Sequence, residues 1–557
     1  NDNPTISDRA DRVVRPYNVS AICFYFRQGG DGLQRRQSFL SGAAILAGAV
    51  AVTKVLGALY KIPLGNLLDS QGMAHFYAAY NVYNLLLMLS TAGLPLAASR
   101  LVAQAETLGR HDQARQVFRC AVGLLGALGL LFSALMLCLP QAMAQALHDP
   151  LAAAAIAVLA PSVLCVCLTS AIRGYTQGLG SMTPTAVSQI IESACKLMVG
   201  LGLCYVLLRR GASPEIGAAG AIAGVTCGTV LGLLYLLWSL RRCPRQHGGI
   251  TATVGDTVRQ LLQIGVPITV AGGAMSLMTL LDQSLVLGTL QGRLGLSAQT
   301  AAELYGQYTF GMTLFVLPPS FIYPLSVSLI PAITQARTRH DEDAAARLTA
   351  SALRMTALLA LPMGAGLSVL AEPILLLLYP AVPETARAAA GHLTVLGIAS
   401  MFVCLMVVTN GILQAHGQEK LPIWTLLSGG VLKVVTNYLM VADPAIGIQG
   451  APVGTLYSYA LIVVLNMIAV YRCTRGRVDF FRCLWRPALC AAVMALASRP
   501  CFTLLSAHIS QNLATLVTIA AAALVYTVLA LALGAVTAED LRHLKISEKW
   551  VHRLGLR

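Results

Sequence analysis

Apolar residues run together along this chain in long, nearly unbroken stretches, and short polar stretches between them hold most of the charge. Strict alternation, the mark of a half-buried strand or a barrel strand, is absent. Runs of about 20 apolar residues match the length at which a helix crosses hydrocarbon. They predict helical spans at 39–62, 74–103, 117–139, 150–172, 184–208, 217–240, 260–290, 305–332, 349–370, 388–413, 422–442, 446–471, 484–504 and 511–535. Arg499 and Pro500 interrupt the thirteenth. The expected class is an all-α integral membrane protein with about fourteen transmembrane helices.

The pattern also repeats. Pro95–Asp112 aligns with Pro324–Asp341 at a shift of 229, with identity at 7 of 18 positions. Gln177, Gly180 and Lys196 recur as Gln414, Gly417 and Lys433 at a shift of 237, with Pro184 answered by Pro422. Ile216, Gly220 and Gly224 recur as Ile446, Gly450 and Gly454 at 230. Spans one to six and seven to twelve therefore read as two copies. An even number of spans gives both copies the same orientation, a transporter plan that places the substrate between lobes near the midplane. The expected divisions are a polar tail at 1–38, an N-lobe at 39–240, a C-lobe at 260–471, two further spans at 484–535 and a tail at 536–557. The first tail shows no short apolar core with a small-residue cleavage site, and both tails are expected in the cytoplasm.

Composition supports the membrane assignment. The chain is 56% hydrophobic and 11% charged, against about 25% charged in soluble domains. Its net charge of +15 has a topological explanation. Arg110, Arg115 and Arg119 follow span two, and Arg241, Arg242 and Arg245 follow span six. Arg337, Arg339 and Arg347 follow span eight, and Arg472, Arg475, Arg477 and Arg482 follow span twelve. Arginine-rich loops face the cytoplasm, which places both termini there. Nucleic acid is not an expected partner. The 14 cysteines are mostly single and apolar in context, so neither a metal site nor a disulfide framework is expected. No phosphate-binding glycine loop with its lysine is present, the loops are too short for a catalytic domain, and no cofactor is expected. Asp341, Glu342 and Asp343, with Arg347 and Arg354 at helical spacing, read as the start of a solvated helix.

The charges inside the spans carry the chemistry, because a charge at mid-bilayer costs roughly 2.5–3.5 kcal/mol on insertion scales. Lys54 and Lys61 share one face of span one. Glu192 and Lys196 stand four apart in span five, as a neutral pair or with Glu192 as an ion-coupling group and Lys196 as a substrate ligand. Asp282 is central in span seven, where it either couples to Na+ or H+ or pairs with a lysine of the other lobe. Lys433 has Gly429 and Asn437 one turn away on either side and no acid, which makes it the favoured phosphate ligand. Arg100 and Arg173 close spans two and four. Basic groups outnumber acids, so a shared cavity would favour an anion such as phosphate. Asn81, Asn84, Gln177, Asn410, Gln414 and Asn437, with Tyr77, Tyr80 and Tyr83, would supply hydrogen bonds to a sugar.

Ordered motifs across residues 39–535 resemble one family. Thr53-Lys54-Val55-Leu56-Gly57 with Tyr60-Lys61-Ile62-Pro63-Leu64, Gly93-Leu94-Pro95 with Ser99-Arg100, the stretch Arg173–Lys196, Leu304-Tyr305-Gly306 and Ser328-Leu329-Ile330-Pro331-Ala332 carry the likeness. Together they are similar to the stage V sporulation protein B branch of polysaccharide and lipid-oligosaccharide flippases. The resemblance implies the multidrug/oligosaccharidyl-lipid/polysaccharide exporter fold, alternating access, and undecaprenyl-linked cell-wall precursors as substrates. It also implies that Lys54 matches a basic cavity position. The stretch Gln307–Leu317 lacks the arginine that murein lipid II flippases carry there, which leaves the sugar open.

The expected function is therefore flipping of an undecaprenyl-pyrophosphate-linked saccharide, without enzymatic chemistry, by a monomer in the cytoplasmic membrane. The alternative is a cation-coupled multidrug antiporter of the same fold.

Overall fold

The computed structural model describes residues 39–91, 93–242, 252–418 and 420–535. The two tails and Arg245 lie outside the described residues, as do the side chains of 327–332 within the Ser328–Ala332 motif. Eighteen α-helices, and no strand, make up the described chain.

α1 (Phe39–Thr91) takes in spans one and most of two. Its 53 residues do not run straight. Lys61 and Tyr77 are sixteen residues apart, about 24 Å along a straight helix. Their side chains nevertheless hydrogen-bond at 3.0 Å. The chain turns back at Asp69, whose backbone (φ 56°, ψ −163°) lies in a region that costs a non-glycine residue roughly 1–3 kcal/mol. The Asp69 carboxylate compensates by accepting the backbone N–H of Gly72 at 3.2 Å, capping the returning arm.

The returning arm ends at Thr91, and α2 (Leu94–Thr107) completes span two. Gly93 stands at the break because a Cβ there would run into the Gly265 carbonyl of a helix from the other half. Span eight is broken in the same manner, into α10 (Ala298–Phe315) and α11 (Leu317–Thr338) meeting at Val316. Discontinuous helices of this kind occur near transporter sites.

The chain continues with α3 (His111–Cys138), α4 (Pro140–Ala146), α5 (Ala153–Gly178), α6 (Thr183–Cys195), α7 (Leu201–Arg209) and α8 (Pro214–Arg241). A π turn over Lys196–Gly200 joins α6 to α7, so span five is one rod with a bulge. α9 (Val254–Gly292) follows. Beyond α11 come α12 (Glu342–Val369), α13 (Ala371–Leu378), α14 (Pro383–Ala415), α15 (Leu421–Met440) and α16 (Gly450–Cys473). The acidic cluster begins α12, with Asp341 capping the N–H of Ala344 at 2.8 Å. α17 (Phe480–Ser506) passes without a break through Pro487, Arg499 and Pro500, and packs with α18 (Gln511–Ala532) against α12 and α13.

Among the described residues, eleven stretches are long and apolar enough to cross a membrane, one of them the folded Gly48–Thr107. The protein is a multi-pass helical membrane protein. α2, α3, α5 and α8 form one bundle with the arms of α1, and α10 to α16 form another. α9 lies along α1, α2 and α3 on one side and α15 on the other, so it acts as a strut between the bundles.

α10 crosses α1 where Gly306 meets the backbone of Ser70. A Cβ at Gly306 would collide with the Ser70 carbonyl, which explains the glycine of the Leu304-Tyr305-Gly306 motif. Gly306→Ala should therefore lower stability by about 1–3 kcal/mol, as overpacking does. Gly57→Ala, with open space around its Cβ, should be neutral. Thermal unfolding of the two purified variants decides this, and equal melting temperatures would refute the crossing.

Candidate functional site

Four basic residues of the spans separate into two kinds, Arg173 and Lys433 paired with a carboxylate and Lys61 and Lys196 set among aromatic rings.

Arg173 in α5 belongs to the first kind. Its Nη2 donates to Glu192 Oε1 at 2.6 Å and its Nε to Ser188 Oγ at 3.0 Å. Glu192 therefore neutralises Arg173 rather than Lys196, which corrects the expected one-turn pair. Lys433 in α15 is the second correction. It has no acid on its own helix, but its Nζ lies 2.7 Å from Asp282 Oδ2 on α9. Helical spacing along one sequence cannot show a partner 151 positions away. Asn437 Nδ2 donates to the other Asp282 oxygen. The lysine and the aspartate thus belong to the same copy, not to opposite lobes.

Lys61 and Lys196 belong to the second kind, and neither has a carboxylate within ion-pair distance among the described residues. Lys61 Nζ donates to the Tyr77 hydroxyl at 3.0 Å and lies 4.7 Å from that ring's centre and 5.5 Å from the Tyr80 ring. Lys196 Nζ donates to the Tyr80 hydroxyl at 3.1 Å and stands 4.3 Å from the Tyr80 ring and 4.9 Å from the Tyr60 ring. Two ammonium groups therefore share the ring of Tyr80. Cation–π contact is worth ~0.5–2 kcal/mol each. It holds a lysine in place yet leaves its remaining N–H bonds and its full charge for an anion.

Neighbouring elements fix each wall of this cage. The Tyr60 hydroxyl donates to the Ala221 carbonyl of α8 at 3.0 Å, which anchors the ring under Lys196. Phe76 stacks on Tyr80 with centroids 5.5 Å apart. Tyr77 bonds Thr313 of α10 at 2.9 Å, tying the cage to the second bundle. Gly200 and Gly224 let the π turn lie against α8, since a Cβ at Gly224 would strike the Gly200 backbone.

The other expected site residues disperse. Lys54 and Arg100 are exposed, with no ion-pair partner among the described residues. Asn81 is buried and donates to Gln283 of α9 at 2.7 Å. Asn84 is half-buried. Gln177 donates to Thr185 at 3.2 Å, and Asn410 accepts from Asn466 at 2.8 Å. Gln414 is exposed. Asn437 serves the Asp282 pair.

Sequence reading overlooked Tyr60 as a cage wall and Gln283 as the partner of Asn81. It also overlooked Asn66, which closes the interface above the cage. Asn66 donates to the Leu378 carbonyl at 2.8 Å and accepts the Ala381 N–H at 3.1 Å. The Tyr-Lys pair at 60–61 is a signal that Tyr60 belongs with the lysines. No signal along the chain joins Asn66 to residue 378. Beside this clasp an apolar groove of about 680 Å³ opens, lined by Ile62, Pro63, Leu201, Tyr205 and Leu377 among others.

These features can be set beside known proteins. The profile of a family described as "Polysaccharide biosynthesis protein" matches residues 39–337, more than half of the chain. This chain belongs to that family. A second profile, MatE, matches residues 267–439. Stage V sporulation protein B of Bacillus subtilis (strain 168) is 26% identical over 445 residues, covering 78% of this chain and 84% of the relative. The lipid II flippase MurJ of the same organism is 25% identical over 459 residues, covering 78% and 82%. A solved structure of the lipid II flippase MurJ in an inward closed conformation superposes with a TM-score of 0.65 at 14% identity, covering 90% of this chain and 99% of that one. This chain thus shares its fold with a flippase of known structure.

Proposed function

We propose that this chain moves a pyrophosphate-linked, lipid-anchored saccharide from one leaflet of the cytoplasmic membrane to the other. Lys61 and Lys196 at the Tyr80 ring carry this reading. Two half-buried ammonium groups without carboxylates among the described residues make an anion site, and ammonium–phosphate hydrogen bonds are the strong, charge-assisted kind. The surrounding tyrosines offer rings and hydroxyls to a sugar. The apolar groove beside Ile62 and Leu201 would let a prenyl chain remain in the lipid while its head group enters. Family membership and the flippase relatives support the same substrate class.

In the proposed cycle the bundles rock about the cage, a movement of the hinge and shear type. The Asn66 clasp, the Tyr77–Thr313 bond and the Asn81–Gln283 bond hold the Asp69 end shut in this state. The substrate would enter from the opposite side and leave after these bonds break. The arginine-rich loops put the entry side and both termini in the cytoplasm. One chain holds the whole cage, so a monomer suffices, and no bond of the substrate needs to be made or broken.

The MatE match supports a second reading, cation-coupled drug export. A cationic drug needs a free carboxylate, and Asp282 and Glu192 each already hold a cation of the protein's own. Flipping is therefore the stronger reading.

Reconstitution into proteoliposomes with undecaprenyl-pyrophosphate-linked saccharides tests it, read by the leaflet in which the sugar is accessible to an impermeant probe. Time-dependent transfer that needs the protein is expected. Transfer of a cationic dye with no movement of any lipid-linked sugar would replace flipping by antiport.

A further inference from the structure

The sequence left two readings of Asp282 open, coupling to Na+ or H+ and pairing with a lysine of the other lobe. Its surroundings argue for a different arrangement. Asp282 lies ten residues before the end of α9 and is 5% exposed. A carboxylate at that depth requires a counter-charge. A hard metal cation would need oxygen ligands converging on an open position. Here both carboxylate oxygens already face nitrogen, one the Lys433 ammonium at 2.7 Å and the other the Asn437 amide.

Asn437 is the telling group. It is buried, and it turns its Nδ2 to Asp282 and its Oδ1 away, toward Gly454 of α16. That oxygen has no hydrogen-bond partner. A buried amide leaves its acceptor unsatisfied at a cost of roughly 1–3 kcal/mol. Turned over, the same amide would present oxygen to Asp282, as a metal site requires.

We propose that the Lys433 ammonium is a tethered cation that fills the counter-ion position of Asp282, so that the transporter works without a diffusible metal cation. The protein supplies the counter-charge from its own chain, with the ammonium 2.7 Å from Asp282 Oδ2. When the bundles move, this charge moves with α15 and needs no release into either compartment. The proposal rests on the flippase reading only for its transport readout.

Two measurements test it. The first is thermal unfolding of detergent-purified protein in NaCl and in choline chloride at equal ionic strength. Wild type should melt at the same temperature in both. Lys433→Asn, which leaves Asp282 without its ammonium and adds an amide oxygen, should gain ~5 °C in NaCl, as ligand binding to the folded state does. The neutral pair Asp282→Asn with Lys433→Met should show no difference, and it serves if Lys433→Asn folds poorly. The second is flipping in proteoliposomes with and without Na+. Wild type should run at one rate, within twofold, and Lys433→Asn should require Na+. Stabilisation of wild type by Na+, or a tenfold faster wild-type rate in Na+, would overturn the proposal. The melting result stands even if no lipid-linked sugar moves, so the two readings fail separately.

Discussion

Lys196→Ala is expected to slow flipping of a pyrophosphate-linked saccharide by about 10- to 150-fold. The range follows from losing one charged hydrogen bond to the substrate, worth ~1.5–3 kcal/mol, at about 1.4 kcal/mol per tenfold. Lys61→Ala should act in the same direction, and the two losses should not add, because both lysines lean on the ring of Tyr80. Fold and yield should survive, since Lys196 has no carboxylate to leave unpaired among the described residues. Lys420→Ala, at an exposed position before α15, is the control for charge removal alone. The check is initial transfer rate per reconstituted protein. A Lys196→Ala protein that flips at the wild-type rate would end the role of the cage.

The second large effect concerns stability. Asp282→Ala should destabilise the protein by roughly 3–5 kcal/mol, because it strands a lysine among helices. The lower end is expected, since the Lys433 side chain keeps 19% exposure. Combining it with Lys433→Met should restore most of the loss, since an apolar replacement of a buried pair is often neutral. Melting temperatures of the three purified variants measure this. Were Asp282→Ala as stable as wild type, the pair would not be what fastens α9 to α15.

Sequence alone showed much of the fold and less of the site, and the reason is distance along the chain. Spans are local, so twenty apolar residues announce a helix before anything packs against it. Span thirteen looked broken at Arg499 and Pro500 because composition records a charge and a missing N–H but not the neighbours that tolerate them. The turn at Asp69 was hidden inside a polar stretch that did not predict how tightly the two arms of α1 fold together. Partners were the hardest part. Glu192 was within reach of Lys196 by spacing, yet Arg173 from α5 took it. Lys433 looked unpaired because Asp282 approaches from another helix. The tyrosines at 77 and 80 were visible as hydrogen-bonding groups, but their use as lysine rests depends on α1 doubling back.

The π turn at Lys196–Gly200 explains why two lysines at matching places in the repeat do different work. Such a turn spends one extra residue without adding height, so the segments before and after it are rotated by about 100° relative to a regular helix. Lys433 sits in the unbroken α15 and meets Asp282. Lys196 is swung instead onto Tyr60 and Tyr80 while Leu201–Arg209 keep their seats on α8. Removing one codon from 197–200 would return span five to plain helical register and carry the lysine off the rings. No exchange of side chains at 196 itself can reproduce that change.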